Sequence, residues 1–133
     1  MIVDFNVVLG GYLMLSNNLY FHVIFLLILT DILTGYSKAF ITGQLNSQRG
    51  MKGLLKHALS FFIVTNIYVY ATLIGFEWVA LASVIVLCIS YGISILENLD
   101  AMGIWIPKFL KDKLLQFRES IDRGDGIGKT NRK

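Results

Sequence analysis

LYFHVIFLLILTDILTGYSKAFI, residues 19–41, is the stretch on which the fold turns. Twelve residues pass without Asp, Glu, Lys or Arg before Asp31 appears near the middle. As helix, the stretch extends roughly 35 Å, enough to cross a hydrocarbon core of about 30 Å. Two further apolar runs follow, from about Leu54 to Ile74 and from about Trp78 to Leu99. Each is long enough for the same crossing. Helix is the form they must take, because lipid cannot satisfy open backbone groups and three segments cannot close a β-barrel.

Composition agrees. The chain has 133 residues, 55% of them hydrophobic and 16% charged, with a mean hydropathy of +0.63. Soluble domains carry about 25% charged residues, and a small soluble protein cannot hide this much apolar side chain in one core. Disorder is excluded by the hydrophobicity. A disulfide scaffold is excluded by the single cysteine, Cys88.

The net charge is +3 and the pI about 9.1, a balance that alone would suit nucleic acid. Placement argues otherwise. Residues 1–48 hold one base, Lys38, and none lies between Lys56 and Lys108. Arg49, Lys52 and Lys56 gather in one short segment, and the rest fall from Lys108 onward. Bases beside apolar runs indicate a membrane topology, not a nucleic-acid partner. The glycine-rich stretch TGQLNSQRGMKG (42–53) reads as a loop, and Gly75 to Glu77 as the turn of a tight helical hairpin. The first loop and the C-terminal segment then share the cytoplasmic side, with the N-terminus outside.

The chain divides into four parts. Residues 1–18, interrupted by Asp4, Asn6 and Gly10-Gly11, are too short for a comfortable span and read as an interfacial or loosely inserted helix. A fourth, short span is the alternative, with the N-terminus inside. Residues 19–99 form the three-span domain. In 100–122, Trp105 is an aromatic anchor at headgroup level, and Pro107 suits the first turn of a helix. Leu110, Leu114, Phe117 and Ile121 recur on one face of that helix, with Lys108 and Lys111 off it. Such a helix rests on the inner leaflet or packs on a partner domain. Residues 123–133 read as a basic disordered tail drawn to anionic lipid. The fold class is therefore all-α: an integral membrane protein with three transmembrane helices, an N-terminal interfacial helix and a C-terminal amphipathic helix.

No catalytic motif is present, and no cofactor or metal site is indicated. His22 and His57 read as interfacial histidines, and Cys88 as a packing residue. Asp31 is the informative residue. A central aspartate costs about 2.5–3.5 kcal/mol on insertion, and each Leu, Ile or Phe returns only about 0.3–0.6. It must face protein or water. Thr34, Gly35 and Lys38 continue its face. Two readings stand: Asp31 serves a pore or assembly, or it staples the monomer to another helix. The third span repeats the design with Ser90, Ser94 and Glu97 on one face and Asn98 beside it; the second carries Asn66 near its centre. One such chain has too few helices to enclose a sizeable water path, so polar faces on separate spans favour homo-oligomers.

Three stretches together resemble the toxin-secretion/phage lysis holin family: DILTGYSKAF (31–40), LNSQRGMKGLLKH (45–57) and SILENLDAMGIWIPKFLKDKL (94–114). The matching positions are Asp31, Thr34 and Gly35; then Leu45, Asn46, Ser47, Gly50, Lys52 and Gly53; then Glu97, Asn98, Gly103, Pro107 and Leu110. The resemblance implies a non-enzymatic protein of the bacterial cytoplasmic membrane that binds copies of itself and opens lesions. Through these, an endolysin or a toxin passes, with no direct contact required. A small ion channel or transporter subunit, or a membrane adaptor, are the competing readings.

Overall fold

The computed structural model describes residues 4–123 as five helices, with no strand among the described residues. They are α1 (Phe5–Leu15), α2 (Leu19–Ile41), α3 (Ser47–Leu73), α4 (Glu77–Ala101) and α5 (Lys108–Asp122). The basic tail expected over 123–133 lies, beyond Arg123, outside the described residues. The middle three are long and apolar enough to span a membrane; α1 is not.

Local chemistry sets the ends. Asp4, Asn18 and Asn46 precede α1, α2 and α3 in extended conformation, and each accepts a hydrogen bond from a backbone N–H of the first turn. This is the satisfaction of orphan donors that such residues supply. The Asn46 cap corrects the expected loop over 42–53. Its side chain accepts from both Gln48 N and Arg49 N, and α3 begins at Ser47, seven residues before the apolar run. The cap offsets part of the cost of Gly50 and Gly53, each about 1 kcal/mol against alanine in a helix. Arg49, Lys52 and Lys56 are therefore helical. Between α3 and α4, Gly75 turns at φ 81° while Phe76 N donates to Ala71 O at 2.7 Å. This is a helix stop that favours glycine, and the same pattern closes α2 and α4.

Helix α4 is the central element, packed against α2 on one side and α3 on the other, while α2 and α3 touch sparingly. The core runs through Ile24 and Ile28 of α2 and Val84 and Tyr91 of α4, with Phe61, Val64 and Tyr68 of α3 against it. Phe21 meets Phe61 and Tyr68 edge-on. The outward faces carry Phe25, Leu26, Phe62, Ile63 and Ile85, all exposed. A soluble protein would not leave such surface open, whereas for a spanning helix it is the face toward lipid.

The flanking helices both lean on the bundle. Helix α1 packs on α3: Gly11 lies against Val69, and Tyr12 Oη donates to Asn66 Oδ1 at 2.6 Å. Helix α5 folds back beside α4, with Leu114 over Gly92 and Lys111 Nζ 3.0 Å from Asp100 Oδ2. Of its expected apolar face, Leu114 is half-buried there, while Leu110 and Phe117 stay exposed.

Candidate functional site

Two polar side chains are buried among the described residues, Asp31 and Asn98, each 6% exposed, and they meet. Asp31 sits on the same face of α2 as Ile24 and Ile28, so the helical repeat that buries those side chains also carries the carboxylate inward. Asn98 comes from α4, two turns beyond Tyr91 on the buried face. Its Nδ2 donates to Asp31 Oδ1 at 3.2 Å and to Thr34 Oγ1 at 3.4 Å. Its Oδ1 accepts from Lys38 Nζ. One amide thus links the anion to a cation one helical repeat away. Gly35 lies beside it; a Cβ there would stand 3.6 Å from the amide nitrogen, an ordinary contact.

The second side of Asp31 faces α3. His57 Nε2 lies 3.7 Å from Asp31 Oδ2. That is beyond hydrogen-bond range but close enough for electrostatic contact. The other ring nitrogen lies 3.2 Å from Tyr91 Oη, and the two rings are 5.5 Å apart at centroid. The carboxylate is therefore held from two helices at once. Among the described residues no buried side-chain polar atom lacks a partner, the condition under which a polar network inside a low-dielectric bundle is tolerated.

Beside this network lies a cavity of about 780 Å³ between α2 and α3, with α4 behind it. Lys38, Ser90, Ser94, Glu97, Arg49 and Lys56 line it, with Asp31 and His57 at its inner end. Ser90 returns its hydroxyl to Val86 O at 2.9 Å.

The structure thus gathers Asp31, Thr34, Gly35, Lys38 and Asn98 into one cluster and sets Ser90, Ser94, Glu97, Arg49 and Lys56 around the adjoining cavity. It does not bring Asn66 there. Asn66 faces α1, accepting from Tyr12 and donating to Phe62 O. Lys52 and Lys108 are exposed and away from the cavity, Trp105 is 83% exposed, and Lys111 pairs with Asp100. His22 behaves as expected for an interfacial residue, exposed and turned to Asn18 O. His57 does not: it is drawn inward. The signal was available, since His57, Phe61, Val64 and Tyr68 recur at spacings of four, three and four, the half-buried face that α3 turns to the core.

Comparison with known proteins places this geometry. The model of the bacteriophage holin family matches residues 8–119. A protein named "Probable holin" from Bacillus phage phi105 is 31% identical over 96 residues, 71% of each chain. Two uncharacterized bacterial proteins are similarly related. One, from Halalkalibacterium halodurans, is 33% identical over 105 residues, 74% of each chain. The other, YqxH of Bacillus subtilis, is 31% identical over 96 residues, covering 71% of this chain and 69% of its own. No solved structure matches the chain. A family model that covers all three apolar helices and reaches into both flanking ones, with a phage relative at this identity, decides the question: the chain belongs to the bacteriophage holin family.

Proposed function

We propose that this protein is a pore former of the bacterial cytoplasmic membrane whose copies assemble and open lesions that let an endolysin, or a toxin, reach the cell wall. The N-terminus lies outside; the α2–α3 connection and the C-terminus lie in the cytoplasm, the side to which Arg49, Lys52 and Lys56 belong by the positive-inside rule. The family is a membrane pore-forming, non-enzymatic class, and the phage relative bears the name of such a protein.

The observation that carries the reading is the buried polar seam of α2 and α4. In one chain Asp31, Thr34, Lys38 and Asn98 satisfy each other. Three helices are too few to surround a wide water path. When copies crowd together, the same groups can exchange their partners for water and neighbouring chains, and the seam becomes the lining of a lesion. Ser90, Ser94 and Glu97 extend that lining along α4. Asp31 acts first as a staple and then as a wetted wall residue, which joins the two roles its sequence position allowed.

Inducible expression in a bacterium tests this, with membrane potential and release of a cytoplasmic reporter enzyme followed together. Abrupt release of the reporter, with lysis when a muralytic enzyme is co-expressed, is the expected outcome. Loss of potential without protein release would mean a small ion channel. No change in permeability would mean an adaptor.

A further inference from the structure

We infer that the cavity between α2 and α3 is a binding site for one anionic phospholipid, its phosphodiester headgroup held by basic side chains and an acyl chain lying along the cleft. The inference goes beyond the pore-forming reading and does not depend on it.

Depth is the first ground. Along α3 the lining runs from Asn46 to Ser60, about 21 Å of helical rise. That is the thickness of one leaflet with its headgroup layer, half of about 40–45 Å. On α2 it runs from Asp31 near mid-span to Thr42 past the helix end. The cleft is one leaflet deep and stops there. A volume of about 780 Å³ suits a headgroup with part of a chain.

Charge is the second ground. Lys38, Arg49, Lys56 and Arg118 line the cavity, against the carboxylates Asp31 and Glu97. Asp31 lies at the inner end, engaged by Asn98 and His57. Beyond that inner end the lining carries Lys38, Arg49 and Lys56 against the one carboxylate of Glu97, a net positive charge. Basic pockets between spanning helices are where anionic headgroups bind. Between the bases the walls are mixed: Ile32, Leu54, Leu87 and Ile93 offer an acyl chain apolar surface beside Ser60, Ser90 and Ser94.

Gly53 makes the cleft testable. It lines the cavity, and a Cβ added there meets nothing within 4 Å. Gly53→Leu therefore fills the space, removes no charge and improves the helix propensity of α3. The full chain would be reconstituted in phosphatidylcholine vesicles containing trace spin-labelled phosphatidylglycerol or spin-labelled phosphatidylcholine. The motionally restricted fraction of each label is then measured by electron paramagnetic resonance. The expected preference for phosphatidylglycerol is on the order of fivefold, the scale that one base at an anionic surface supplies. It should fall toward unity in G53L and in R49Q/K56Q. It should persist in K52Q/K108Q, which removes as much charge away from the cleft. Millimolar inorganic phosphate in the bath should leave the restricted fraction unchanged. Equal restriction of both lipids overturns the site, as does equal loss in the two charge-removal pairs. Displacement by inorganic phosphate would mark a free-anion site instead. Loss of restricted lipid as protein density rises would give the cleft to a second copy. The assay reads no lesion, so its failure and a failure of pore formation are separate events.

Discussion

Asp31 and Asn98 stand 67 positions apart in sequence and meet inside the bundle, the amide nitrogen 3.2 Å from the carboxylate. The contact fixes the register of α2 against α4, the most extensive helix pair of the fold, because a slip of either helix would leave a charge in an apolar interior. Asn98→Leu should therefore destabilise the folded bundle by about 1–2 kcal/mol. Hydrogen bonds to charged groups are worth about 1.5–3 kcal/mol; hydrogen bonds within membranes average nearer 0.6 and reach about 1.7. The charge on Asp31 places this bond toward the upper end of the second range. Asp31→Leu combined with Asn98→Leu should recover most of the loss, since removing both partners strands neither. Denaturation in bicelles, followed by helix content, measures each corner of the cycle. If the single and double variants are equally unstable, the pair is not the coupling described.

The same carboxylate should govern when lesions open. With Asp31→Leu the staple is gone and the seam is apolar, so the onset of lysis after induction should move. His57→Leu should move it as well, because His57 Nε2 is the contact that Asp31 makes with α3. His57→Gln keeps a polar group there and should stay closer to the unsubstituted protein. Culture turbidity and reporter release against time after induction provide the measurement. An unchanged onset in both Leu variants would remove the cluster from the mechanism.

Much of this was legible in the sequence, for identifiable reasons. Hydropathy and length disclose spanning helices because the bilayer imposes a minimum length, and α2, α3 and α4 all meet it. Asp31 disclosed itself by cost, and Thr34, Gly35 and Lys38 by phase. What hydropathy cannot convey is which way a helix faces or what a flanking helix leans on. His57 looks interfacial by position and is turned toward the bundle by phase, half-buried against Asp31. Residues 47–53 look like a loop by glycine content and are helical, begun by the Asn46 cap. The face of α5 suits a leaflet or a neighbouring helix equally well, since both offer apolar surface. That α4 receives Leu114 is decided by the open backbone at Gly92, a tertiary fact. Asn66 was visible as a polar residue in a span, but its partner Tyr12 belongs to a helix whose placement no periodicity announces.

Helix α1 should be detachable by a single substitution. A Cβ on Gly11 would stand 3.0 Å from Val69 Cγ1 and 4.0 Å from Leu73 Cδ1, tighter than packed side chains accept. Gly11→Leu should push α1 off α3 and break the Tyr12–Asn66 hydrogen bond, and Asn66→Leu should loosen the same contact from the other side. Maleimide labelling of a cysteine placed at half-buried Val8, in a Cys88→Ala background, should rise severalfold in both. Labelling that stays at its starting rate would mean that α1 is held by something other than this contact.

The docking of α5 should depend on Gly92 and hardly at all on its visible salt bridge. Lys111 and Asp100 are 3.0 Å apart, but Asp100 is 60% exposed, and surface pairs contribute about 0–1 kcal/mol. Asp100→Asn should therefore change little. At Gly92 a Cβ would stand 3.9 Å from Leu114 Cδ1, an ordinary contact. Alanine fits there and should leave α5 in place, while leucine must occupy the space that Leu114 fills. Gly92→Leu should release α5 from α4 and free Phe109, Leu110 and Phe117, already exposed, to enter the bilayer surface together. Spin labels on α4 and α5, at Ala101 and Gln116, would report the change as a longer and broader distance distribution in G92L and an unaltered one in G92A and D100N. If D100N alone lengthens it, the helix is tethered by charge, and the packing of Leu114 over Gly92 is incidental.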